Sequence, residues 1–116
     1  MGVTGIGAFA FRANDPDALG AWYAKHLGVG GGAHGGWETA AGPSVFSPFD
    51  GNTDYFPAGK QWMITFRVEG LDALKAALEA EGIEVVTNPD WDAPGVGRFA
   101  RIFDPEGNQI ELWEPD

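Results

Sequence analysis

The chain has 116 residues, 44% hydrophobic and 21% charged, which suits one globular domain with a core of its own and leaves no room for two independent ones. It contains no cysteine, so disulfides, thiolate metal sites and cysteine nucleophiles are excluded and a cytoplasmic location is expected. The formal net charge of −10, from 7 basic and 17 acidic residues, repels phosphate backbones and argues against nucleic acid as a partner, and with neither a bilayer-length apolar run nor a secretory leader no membrane association is expected.

Val3 to Ala13 alternates weakly and predicts a first strand, with Phe9 and Phe11 on one face and Ala8, Ala10 and Arg12 on the other. Asn14 or Asp15 then caps a helix that has Pro16 in its first turn. Leu19, Trp22, Tyr23, His26 and Leu27 follow at helical spacing until Gly28 stops it. The glycine-rich run from Gly28 to Gly36 surrounds His34, but neither a helix start nor a lysine follows to make it a phosphate cradle. Trp37 to Ala40 and Ser44 to Phe49 predict short strands around the turn at Ala41-Gly42-Pro43.

Asp50-Gly-Asn-Thr-Asp54 spaces oxygen ligands as a calcium loop does. Tyr55 nevertheless stands where a glycine must turn, and Gln61 where a closing glutamate is needed, so a polar connection is expected. Trp62, Ile64, Phe66 and Val68 alternate with Met63, Thr65 and Arg67 and predict a strand, and Leu71, Leu74, Ala77 and Leu78 predict an amphipathic helix ending at Gly82. Ile83 to Thr87 predicts another strand before the loop Asn88 to Gly95. The runs Phe99 to Phe103 and Gln109 to Trp113 then flank the turn Asp104-Pro-Glu-Gly-Asn108, which predicts a hairpin. Alternation places Ile110 and Leu112 on one face of the last strand and Glu111 with Trp113 on the other.

A shift of 55 residues superposes the two halves, aligning Phe11 with Phe66, Arg12 with Arg67, Asp17 with Asp72, Ala18 with Ala73, Leu19 with Leu74 and Ala21 with Ala76, six identities in eleven positions. The expected architecture is therefore α+β, with two βαβββ modules in one domain spanning residues 1–116, module one about 1–55 and module two about 60–116.

The order Asp104-Pro-Glu-Gly-Asn-Gln-Ile-Glu-Leu112 after an apolar strand, together with this duplication, resembles the vicinal oxygen chelate superfamily of glyoxalases, bleomycin resistance proteins and extradiol dioxygenases. The resemblance implies curled mixed sheets with helices on their convex side and a cleft on the concave side, and a symmetric homodimer. It also implies four metal-ligand positions, which fall here on Ala8, approximately Phe46, Met63 and Glu111. Only Glu111 suits a nickel, zinc or iron site, each of which needs several N or O ligands, and His34 is the one nearby replacement. No metal or other cofactor is expected.

Without a metal, Glu111 needs a cation, and Arg12, Arg67 and Arg101 are the candidates. Glu111 is the candidate catalytic residue, as a general base or a cation anchor. Arg12, Trp37, Phe46, Trp62, Met63, Arg67, Trp91, Arg101 and Trp113 are the candidate ligand-binding residues, because arginines orient and tryptophans cover a flat ligand. The expected function is a glyoxalase-like small-molecule-binding protein or metal-independent enzyme. The alternatives are sequestration of a cationic aromatic compound, as in bleomycin resistance, and a metal-dependent lyase or dioxygenase.

Overall fold

Capping chemistry fixes both helices of the computed structural model, which describes residues Met1–Asp116. Helix α1 (Pro16–Leu27) begins where Asp15 accepts a hydrogen bond from Ala18 N–H, has proline at its first turn, and stops at Gly28, whose φ of 66° is left-handed. Helix α2 (Leu71–Ala80) follows Gly70, which offers no side chain to cap it. The cap comes from the far end of the chain: Glu114 accepts from Leu71 N–H at 2.9 Å, placing a carboxylate at the positive end of the helix.

Strands β1 (Ile64–Arg67), β2 (Gly97–Phe103) and β3 (Gln109–Pro115) form one mixed sheet in the order β1–β3–β2. β1 runs parallel to β3 and β2 antiparallel to it. Ala100, Ile102, Ile110 and Leu112 are at most 1% exposed on one face. There they join Leu71 and Leu78 of α2 and Leu19 and Tyr23 of α1 in the core. Tyr23 and Leu78 are 55 residues apart, so the repeat is realised in the helices as equivalent buried positions.

The turn Asp104 to Asn108 both closes the β2–β3 hairpin and docks α1. Buried Asp104 accepts from Glu106 N–H, Asn108 N–H and the Asn108 amide at 2.9, 3.0 and 2.8 Å. Its second oxygen also accepts from the Tyr23 hydroxyl at 2.7 Å. Glu106 then receives Asn14 N–H and Asp15 N–H at 2.7 and 3.1 Å, just ahead of α1.

Three expected strands do not form in the first half: Val3 to Ala13, Trp37 to Ala40 and Ser44 to Phe49 carry no ladder. A strand is stable only against a neighbour, and these segments find none within the chain. Several of their apolar side chains consequently face solvent, with Val3, Ile6 and Phe46 at 96%, 76% and 90% exposed, whereas Phe11 packs against the core. The strand expected at Ile83 to Thr87 is reduced to one antiparallel bridge, Val86 with Arg101. It is cut short because Asn88 turns the chain into a single 3-10 turn, Pro89–Trp91, capping Asp90 N–H with its side chain. No helix is long and apolar enough to cross a membrane.

Candidate functional site

The sheet face away from the helices gathers the polar residues. Register places Thr65, Glu111 and Arg101 side by side across β1, β3 and β2, with Arg67, Trp113 and Phe99 forming the next row. Glu111 is thus at the centre of the middle strand, facing away from the core as alternation requires.

Both Glu111 carboxylate oxygens have hydroxyl donors. Thr65 Oγ1 donates to Oε1 at 3.0 Å, and the Tyr55 hydroxyl makes a short hydrogen bond to Oε2. Tyr55 arrives from the loop before β1 and is pinned to the sheet by its own carbonyl, which accepts from Gln109 Nε2 at 3.0 Å and Arg101 Nη2 at 3.3 Å. Gln109 Nε2 also lies 3.1 Å from Met63 Sδ. Burial and the adjacent Glu111 carboxylate push the Tyr55 hydroxyl up to about 12, so it remains a proton donor at neutral pH.

Arg101 completes the cluster through aromatic faces. Its Cζ lies 4.4 Å from the Trp91 ring centroid and 5.1 Å from that of Tyr55, within cation–π range. Beside it lies a shallow, solvent-open cavity of about 470 Å³, lined by Asn52 to Ala58 together with Arg101 and Gln109. Further along the face, Trp113 stacks on Phe99 at 6.2 Å and 6° between planes, and its indole N–H donates to Val96 O at 2.9 Å.

The structure therefore brings Glu111, Met63, Arg101 and Trp91 together and keeps Trp113 on the same face. The expected pairing of Glu111 with Arg12 or Arg67 is not made. Arg12 is exposed, and the Arg67 guanidinium instead donates to Pro43 O, to Ala40 O at 2.6 Å and to Ser44 Oγ at 3.4 Å. Carbonyls of the loop satisfy it without a carboxylate. The chain's ion pairs are those of Arg98, with Asp72 at 3.0 Å and Glu114 at 2.6 Å, and the Glu114 carboxyl is lowered by the Leu71 N–H and by Arg98.

Trp62 packs on Phe9 and Phe11, with ring centroids 5.0 and 4.7 Å away, and Trp37 meets Phe66 edge-on at 6.0 Å. Those contacts serve the apolar side of the sheet. Phe46 covers nothing. Tyr55 and Gln109 are the residues that sequence reasoning missed. Gln109 had a signal, being two residues before Glu111 on the same strand, whereas Tyr55 lies in a loop without periodicity.

The donor set does not fit a metal of the glyoxalase or dioxygenase kind. Of the four family positions only Glu111 offers a hard ligand, and no three His, Asp or Glu side chains converge anywhere in the chain.

The family model of the Glyoxalase/Bleomycin resistance protein/Dioxygenase superfamily matches residues 5–112. The chain belongs to that superfamily. Over 54 residues it is 39% identical to two proteins named "Putative glyoxylase CFP32", from Mycobacterium bovis and Mycobacterium tuberculosis. The match covers 47% of this chain and 20% of those proteins, so it spans about a fifth of their length. Among solved structures, TnmS3, an antibiotic binding protein from Streptomyces sp. CB03234, is similar over 100% of this chain and 99% of its own. The TM-score is 0.61 at 22% sequence identity, a likeness of fold.

Proposed function

We propose that this superfamily member binds a small, flat organic molecule without a metal, in the cavity beside Glu111, Tyr55 and Arg101. The observation that carries the reading is the hydrogen bonding of Glu111. A carboxylate whose two oxygens already accept from Tyr55 and Thr65 is a preorganised anchor for the site wall, and it has less freedom to act as a general base. Superfamily membership supports a small-molecule ligand, and the antibiotic-binding TnmS3 shows the use to which a similar fold is put elsewhere.

In the proposed working form a second copy completes the protein. The unladdered segments of the first half, with Val3, Ile6 and Phe46 exposed, would gain strand partners in a symmetric homodimer, restoring the two βαβββ modules that the 55-residue repeat implies. A cationic aromatic ligand, the sequestration alternative, would share its cavity with the Arg101 guanidinium. That repulsion favours a neutral or anionic ligand.

The test is a thermal-shift screen of planar aromatic compounds in EDTA and in divalent metal ions, since a ligand raises apparent stability by mass action. Stabilisation independent of metal is expected. Hits that require a metal would replace this reading with the metal-dependent lyase or dioxygenase alternative.

A further inference from the structure

Arg101 is held in a way that decides which of its surfaces meets the cavity. Its Cζ lies over the Trp91 and Tyr55 rings, 4.4 and 5.1 Å from their centroids. Its one side-chain hydrogen bond goes to Tyr55 O, leaving the remaining in-plane N–H donors without a protein acceptor. Glu111, directly opposite on β3, makes no ion pair with it, the ion pairs of the chain being those of Arg98; its oxygens accept from Tyr55 and Thr65. The cavity thus borders a fixed, un-ion-paired guanidinium with a free donor edge, in a chain whose net charge is −10.

We propose that Arg101 is the specificity-determining residue of this cavity, selecting a flat aromatic ligand that carries a carboxylate or a similar planar pair of anionic oxygens. The inference rests on the cavity being the ligand site. A guanidinium edge matches two coplanar oxygens with parallel hydrogen bonds, while the Trp91 and Tyr55 rings hold that edge in place. Asp54 lines the same cavity, and an anion therefore binds on the Arg101 side of it, while the rest of the acidic surface is screened beyond roughly 8 Å at physiological salt.

The experiment compares three probes with one ring system and different charge: 2-naphthoate, 2-naphthamide and 2-naphthamidine. Affinities are measured by calorimetry, and the site is located by amide and side-chain NMR shifts at Tyr55 and Gln109, for wild type and Arg101→Met. Wild type should prefer the carboxylate over the amidine by about tenfold or more, and Arg101→Met should lose about tenfold in carboxylate affinity and erase that preference. Arg101→Lys, which keeps the charge but not the planar fork, should retain the preference for the anion with weakened affinity, and it serves if the methionine variant is unfolded.

Equal affinity of wild type for all three probes, with shifts at Tyr55 and Gln109, would overturn the role of Arg101 and leave the ligand site standing. Unchanged carboxylate affinity in a folded Arg101→Met would do the same. If no probe moves those resonances, the ligand site itself is wrong and the inference falls with it.

Discussion

The Tyr55 hydroxyl donates to Glu111 Oε2, so a loop residue from before β1 is fastened to the centre of the middle strand. Since the Tyr55 pKa is raised from its ordinary 10 to about 12, the unfolded chain loses that proton first as pH rises. The contribution is fully present below pH 10 and is lost as pH rises through about 12. Tyr55→Phe should therefore flatten the alkaline limb of the stability curve between those values. Tyrosinate absorbance checks it directly: wild type should show no tyrosine titrating at the ordinary value, and Tyr55→Phe should remove the earlier of its two steps.

A second hydroxyl links the two halves. Tyr23 donates to buried Asp104 at 2.7 Å, and burial with that carboxylate raises its pKa far above the ordinary range. Tyr23→Phe removes a hydrogen bond to a charged group and should cost about 1.5–3 kcal/mol. Urea unfolding measures it. A loss below about 0.5 kcal/mol would mean that the three donors of the turn satisfy Asp104 alone.

Gly97 opens β2 with φ at 135°, and a Cβ there would lie 2.9 Å from Pro115 Cα. Gly97→Ala should destabilise the protein by about 1–3 kcal/mol through backbone strain and close contact. Thermal unfolding compared with Gly95→Ala, which is strained by its φ of 79° but has nothing within 4 Å, separates the contact from the strain.

Sedimentation equilibrium should give twice the 12.3 kDa chain mass. Ile6→Glu with Phe46→Glu should shift it to the monomer, since charges placed in an apolar interface are costly to bury. A wild-type monomer at working concentration would contradict the homodimer.

How far the sequence reached depended on whether partners lay nearby in the chain. Asp15, Pro16 and Gly28 announced α1 because capping is local, and alternation around Ile110 and Leu112 placed Glu111 on the face away from the core. The hairpin was legible from its turn. The first-half segments from Val3 to Phe49 form no ladder within the chain, because alternation reports what a segment would bury and not whether a neighbour is present. Charge alone pairs Glu111 with an arginine. Hydroxyls of Tyr55 and Thr65 satisfied it instead, and the Arg67 guanidinium went to backbone carbonyls, a contact that leaves no trace in sequence.

The most direct test of the proposed site replaces Glu111 by Gln, which keeps the shape while deleting the charge, and measures ligand affinity and thermal unfolding side by side. For a compound identified by the metal-free screen, affinity and stability should fall together, because Glu111 holds the Tyr55 wall of the cavity in place. Unchanged affinity beside a clear fall in stability would show that the Tyr55 wall takes no part in binding, and would contradict the proposed site.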